Sequence, residues 1–345
     1  MEIFKLSELI KINKLIKSNK LSPGILSKIT RLVITEELEE KPFKKLVKIL
    51  PKLSSLKELT INNQKEKRVF ADLFVVLPQC PNLYLLNLAH NFIKIKDFLV
   101  LVDKLPSFPV IGAIILDHNK LAGLNNLSEE EFNVVLNKIA ESRTLHRLEL
   151  EPENYLDEEI ISNIKQILNL NVQHTQKLFE AAASGDLVTF KVSIDVGNKI
   201  NTQFIFPPSN VLQTCMHVAA SSGRLNILKY LIMHGAQNVP DGNGLTPLQL
   251  VEEQLKKMEE AKKKEVKMDD PIMEESSIAA KNIEDEKYKK MRTNLLEVAS
   301  FLKQKPLVKM ASCCALFSPS KPPKGKLKEE LTDNSETRIK PSMKS

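Results

Sequence analysis

Tryptophan is absent from this 345-residue chain, and aromatic residues make up only 5% of it. Any core must therefore be filled by aliphatic side chains, and a hydrophobic share of 42% supplies enough of them. The length fits two or three domains. Cysteine is scarce: Cys80, Cys215, Cys313 and Cys314 form neither a CxxC pair nor a spaced ligand quartet. That speaks against a zinc site and a disulfide framework, and fits reduced thiols in a cytosolic setting. No apolar run approaches the roughly 20 residues of a membrane span, so no transmembrane segment is expected. The opening stretch, MEIFKLSELIKINKLIKSNK, interleaves Ile and Leu with lysines and lacks the unbroken apolar core of a secretory signal. A Gly-rich phosphate loop, a metal-ligand cluster and a paired-carboxylate motif are all missing from the sequence. No catalytic residue, no metal and no cofactor is therefore expected.

The net charge of +7 is unevenly placed. Residues 1–28 carry six Lys against two Glu, or +4, and residues 303–345 carry ten Lys/Arg against four acids, or +6. The remainder is 7 − 4 − 6 = −3. A slightly acidic middle between basic ends argues against a nucleic-acid groove in the folded core. Residues 306–345, with Pro306, Pro319, Pro322, Pro323 and many Lys and Ser, read as a disordered, solvated basic tail. Within it, Cys313 and Cys314 beside basic residues are candidates for acylation, although no CaaX box closes the chain.

What is present is repetition. LYLLNLAHNFI (83–93) and VIGAIILDHNKL (110–121) share the template LxxLxLxxNxL, through Leu83, Leu86, Leu88, Asn91 and Ile93, and through Ile111, Ile114, Leu116, Asn119 and Leu121. Weaker copies lie at Ile29-Leu32-Ile34, Leu56-Leu59-Ile61 and Leu145-Leu148-Leu150. Successive copies start 27, 27, 28 and 34 residues apart, with helical segments such as FKKLVKILPKL and FADLFVVLPQC between them. This pattern resembles leucine-rich repeats of the long, strand-plus-helix kind over roughly residues 25–170. A unit of one strand and one helix cannot bury its apolar face alone, so stacking into a parallel sheet backed by helices is expected. Asn91 and Asn119 would bond the backbone where each strand ends. The other copies carry Glu37, Gln64 and Glu153 there, so their turns should be less regular.

Alternation along each strand then puts the template leucines inside and the intervening residues on a concave face. That face would carry Arg31, Val33, Thr35, Glu58, Thr60, Asn62, Leu85, Asn87, Ala89, Ala113, Ile115, Asp117, Arg147, Glu149 and Glu151. Leu85, Ala113 and Ile115 form an apolar centre with charged flanks, the anatomy of a partner-binding patch.

A second repeat follows. TCMHVAASSGRLNILKYLIMHGA (214–236) resembles an ankyrin repeat through Thr214, His217, Ala219, Ala220, Gly223, Leu231, Ile232, Gly235 and Ala236. Partial copies precede it at 175–201 and follow it at 241–255, where Thr246, Pro247 and Leu248 match. Gly185 and Gly223 would sit at tight helix reversals and Gly197 and Gly235 at left-handed helix ends. The resemblance implies a structural hydrogen-bonding role for His217, so Cys215 and His217 are read as structural positions and not as a nucleophile and base. Residues 252–290 form a highly charged segment expected as a partly helical insertion between the last two helices, with NLLEVASFLKQK (294–305) as the outer one. The loop INTQFIFPPSNV (200–211) carries Phe204, Ile205 and Phe206 at the hairpin tip that ankyrin arrays use for binding. This triplet either packs on the neighbouring domain or contacts a partner.

The expected architecture is an α/β leucine-rich repeat solenoid followed by an all-α ankyrin-repeat stack and a disordered tail. Its parts are an N-terminal helical cap (1–28), the leucine-rich repeat domain (29–170), the ankyrin domain (171–305) and the tail (306–345). Its expected role is that of a non-enzymatic, monomeric scaffold binding protein partners. An Ile/Lys/Asn-rich chain with two such arrays resembles type IV-secreted effectors of intracellular bacteria, which implies translocation into a host cytoplasm. LSPGILSKI (21–29) resembles the opening of an F-box, so the alternative is an adaptor recruiting a ubiquitin ligase.

Overall fold

The computed structural model describes residues 23–64, 70–151, 154–265 and 275–304. Most of the expected N-terminal cap, the middle of the charged segment, and the basic tail with Cys313 and Cys314 lie outside the described residues. All described residues belong to one compact unit, Met1–Leu307.

Five short strands, β1 (Arg31–Ile34), β2 (Glu58–Ile61), β3 (Leu85–Asn87), β4 (Ala113–Ile115) and β5 (Arg147–Glu149), pair in sequence order into one parallel sheet. The register joins Arg31, Glu58, Leu85, Ala113 and Arg147 across it. These partners stand apart by the same 27, 27, 28 and 34 residues that separate the sequence repeats, so the period is the register. Helices α1 (Glu40–Ile49), α2 (Ala71–Val76), α3 (Ile95–Lys104) and α4 (Glu129–Glu141) follow the first four strands. Leu32, Ile34, Leu59, Ile61, Leu86, Leu88, Ile114 and Leu116 point inward and are buried, with Phe70, Phe74, Phe98 and Phe108 filling the space beneath the helices. The first three helices end alike, at Leu50-Pro51, Leu77-Pro78 and Leu105-Pro106, where the chain tightens into a 3-10 turn. Proline has no N–H to lose at the start of such a turn, and the buried leucine before it anchors the reversal.

A row of buried amides closes the other end of each strand. Asn91 donates from Nδ2 to the carbonyls of Ile61 and Leu88, both at 2.7 Å, and its Oδ1 accepts from the Gln64 N–H at 3.0 Å. Asn119 repeats this, donating to Leu88 and Leu116 and accepting from Ile93. Each amide thus ties two consecutive repeats together. As expected, the flanking turns depart from this pattern; in the fifth repeat the positive-φ residue, Tyr155, follows the amide, whereas His90 and His118 precede theirs. Gln64 is buried, accepts from the Leu38 N–H and donates to the carbonyls of Glu36 and Asn62, its longer arm reaching groups one to two residues beyond those equivalent to the Ile61 and Leu88 carbonyls. In the fifth repeat the role falls to Asn154, which donates to the Leu116 carbonyl and accepts from the Asn119 N–H. Glu153 lies outside the described residues.

The two arrays share a helix. α5 (Glu158–Ser184) buries Ile164 and Leu168 in the first core and Leu178, Phe179, Ala181 and Ala182 in the second. Between these sets, Asn171 donates to the carbonyls of Ile139, Ser142 and Leu145 and so closes the C-terminal end of α4. The expected boundary between residues 170 and 171 therefore falls inside a continuous helix.

Beyond Gly185, whose φ of 81° ends α5, come α6 (Leu187–Asp195), a hairpin of β6 (Gln203–Ile205) and β7 (Leu212–Thr214), α7 (Cys215–Ser221) and α8 (Leu225–Met233). Gly223, at φ 66°, turns the chain between α7 and α8. Two long helices follow, α9 (Pro247–Glu265) and α10 (Glu275–Gln304). Thr246 and Gln249 bond reciprocally at the start of α9. The charged segment expected as an insertion mostly prolongs these two helices. Glu252 pairs with Lys303 at 2.8 Å and Glu259 with Arg292 at 3.2 Å, while the Tyr288 hydroxyl donates to the Met258 carbonyl.

Candidate protein-interaction surfaces

The open face of the sheet is built from the residues between the buried template positions. Arg31 and Glu58, side by side on β1 and β2, form an ion pair at 3.0 Å. At the other end, Arg147 pairs with Glu149 on β5. Between them lie Val33, Thr60, Leu85, Asn87 and Ile115, all half-exposed. Asn62 and Asp117 follow at the strand ends, also half-exposed, with Thr35 and Glu151 exposed. Burial, and then the neighbouring Glu149, raise the Asp117 carboxyl above its ordinary range. Ala113 and Ala89 were expected on this exposed face, but both are buried, Ala113 being only 6% exposed. A methyl group set in register between the longer Leu85 and Arg147 side chains does not reach the surface. The apolar centre of the face is therefore Leu85 and Ile115, with Val33 beyond.

The finger loop divides. Phe204 is half-buried, with ring centroids 5.2 Å from His146 of the strand array and 5.5 Å from Phe179 of α5. Phe206 is also half-buried and lies 5.7 Å from the Phe179 ring. Only Ile205 of the triplet faces solvent, at 52% exposure, because alternation along β6 turns it away from its neighbours. Of the two roles open to this loop from sequence, Phe204 takes the intramolecular one. Two lysines hold the same seam. Lys199 donates to the carbonyls of Pro106 and Phe108, and Lys57, just before β2, donates to the Pro240 carbonyl of the next finger at 3.0 Å. Burial lowers the affinity of both lysines for their proton.

Cys215 and His217 do not form a reactive pair. Cys215 is fully buried, and burial pushes its thiol far up. Cys80 is buried too, its thiol pushed up to about 12. A thiol held protonated is a poor nucleophile. His217 is buried with both nitrogens engaged: Nδ1 accepts from the Thr214 N–H at 3.2 Å, and Nε2 lies 3.1 Å from the Leu245 carbonyl of the next repeat. Burial lowers its proton affinity, so the neutral ring is the form built in. Replacing His217 by alanine would leave those two backbone groups unpaired, and a loss of about 2–3 kcal/mol in unfolding free energy is expected. Chemical denaturation checks this; a loss below about 0.5 kcal/mol would contradict the structural role.

A groove of about 870 Å³ runs along the outer face of α5, lined by Glu151, Glu158, Lys165, Gln166 and Leu170 among others. It contains neither the cysteine nor the histidine discussed above. Among the described residues no group of three His, Cys, Asp or Glu side chains is arranged to hold a metal ion, and no helix is long and apolar enough to cross a membrane.

An ankyrin repeat family model matches residues 212–242, which takes in β7, α7 and α8. No curated protein matches the chain. Among solved structures, leiomodin-1 actin-binding site 2 is similar at 15% identity and a TM-score of 0.38, covering 50% of this chain and 96% of that one. The tropomodulin C-terminal domain of Caenorhabditis elegans is similar at 16% identity and a TM-score of 0.28, covering 38% and 94%.

Proposed function

We propose that this chain is a non-enzymatic scaffold that binds a protein partner on the open strand face of its first array. The observation that carries this reading is the half-exposed pair Leu85 and Ile115 on β3 and β4, set between the ion pairs Arg31–Glu58 and Arg147–Glu149. Aliphatic side chains at the middle of a sheet face lose little by staying wet and gain when a partner dries them, at about 25 cal/mol per Å². The flanking charges select which partner docks and in what orientation. Ile205 at the finger is a second, smaller contact for the same or another partner. Affinity capture from eukaryotic lysate, followed by mass spectrometry, names the partner. Capture that survives unchanged when the centre of the strand face is replaced would overturn the assignment.

The finer reading, a bacterial effector acting in a host cell, rests on the Ile/Lys/Asn-rich composition joined to two repeat arrays. A translocation reporter fused to the chain tests it separately; silence in the host cytosol would remove the effector role and leave the scaffold role untouched. The F-box-like stretch lends the ligase alternative no support, since its Leu26 and Ile29 are taken up in the core of the first repeat.

A further inference from the structure

We propose that the seam between the two arrays is an acid-labile dock, in which proton uptake by His146 releases the finger carrying Phe204 and Phe206 from the strand rim. His146 stands one residue before β5 and meets both arrays. Its Nε2 lies 2.9 Å from the Thr175 hydroxyl of α5, and its ring packs on Phe204 of β6. The Thr175 hydroxyl also lies 3.5 Å from the Arg143 carbonyl; donating there, it accepts from His146, and on this assignment the ring carries its proton on Nε2. Nδ1 is then a bare lone pair, buried, with no hydrogen-bond partner among the described residues. A second proton would land there as an N–H with nothing to donate to, adding a buried positive charge to a seam that already holds the Lys199 ammonium.

The surroundings do not relieve that charge. Among the charged and titratable groups on the elements packed around it are Arg143 from the turn before β5, Arg147 and Glu149 from β5, Tyr84 before β3, His174, Lys177 and Glu180 from α5, and Lys199 before β6. Five of these eight are basic. Arg147 is already paired with Glu149, and the Lys199 ammonium already serves two carbonyls. Burial alone accounts for holding the His146 ring down at about 4, against 6.5 for a free imidazole. The docked finger therefore favours the neutral ring. It is most secure above the free-histidine range and weakens as pH falls from there toward the docked value. At pH 5 the undocked state should gain about 30-fold relative to pH 7.5. Once free, Phe204 and Phe206 form an apolar hairpin that neutral conditions keep covered, so the dock also controls a binding surface.

Hydrogen exchange on the full-length chain reads this directly. After correction for intrinsic exchange, protection of the β6 and β7 amides should fall about 30-fold between pH 7.5 and 5, and by less than about 3-fold in His146→Phe. Flat protection in the wild type, or an equal fall in the variant, would overturn the proposal. Should His146→Phe not fold, NMR titration of the His146 ring in the wild-type chain decides. A midpoint below 5 supports the dock, and one near the free-imidazole value of about 6.5 overturns it.

Discussion

Replacing Asn119 by alanine is expected to lower the unfolding free energy by about 3–5 kcal/mol, a large part of the stability of an ordinary domain. The side chain serves four backbone groups in two repeats: it donates to the carbonyls of Leu88, Leu116 and Asp117 and accepts from the N–H of Ile93. The site is buried, so alanine would leave those groups unpaired where water does not replace the amide. The effect should exceed that of a core methyl deletion, because the row of amides is continuous. Asn154 accepts from the Asn119 N–H, and Asn91 shares the Leu88 carbonyl with Asn119. Loosening one member frees its neighbours. Urea denaturation followed by circular dichroism measures the loss. A change under about 1 kcal/mol would mean that the amide row is not what holds the strand ends together. Asn119→Asp should be comparably severe at neutral pH, since a carboxylate cannot donate to those carbonyls.

Much of this fold is legible in the sequence, for a physical reason. In a solenoid each unit contacts its neighbours in the same way, so the same residue types recur at the same spacing and the register can be read from residue numbers. The amides at 91 and 119 stand out because asparagine both donates and accepts on a short arm. Gln64 escapes the template by being one carbon longer, and Asn154 by a fifth repeat of 34 residues that delays it by one position. The Leu-Pro helix endings were present as a signal at 50–51, 77–78 and 105–106 and could have marked the reversals. What does not repeat is harder to read. The shared helix α5 merges the last unit of one array with the first of the other, and no local residue signals that change. The seam of His146, Thr175, Lys199 and Phe204 is assembled from three separate segments, each of which looks ordinary alone. The strand face itself was laid out by alternation, yet alternation says nothing of side-chain length, which is why Ala113 and Ala89 sink below their neighbours.

The scaffold account stands or falls on the centre of that face. Leu85→Asp combined with Ile115→Asp puts two carboxylates where a partner would have to dry them. Losing two aliphatic contacts at about 1.5–3 kcal/mol each, with the added desolvation of charge, should weaken partner binding at least about 100-fold. Both positions are half-exposed and point away from the core, so the folded chain should tolerate the change at a cost near 1 kcal/mol. The decisive measurement is the dissociation constant of the captured partner, by calorimetry, for the wild type, for this double variant and for Ile205→Asp, each checked for an intact thermal transition. The account predicts a loss of at least about 100-fold in the double variant and less than about 10-fold in Ile205→Asp. Unchanged binding by a folded double variant, or loss confined to Ile205→Asp, would contradict it.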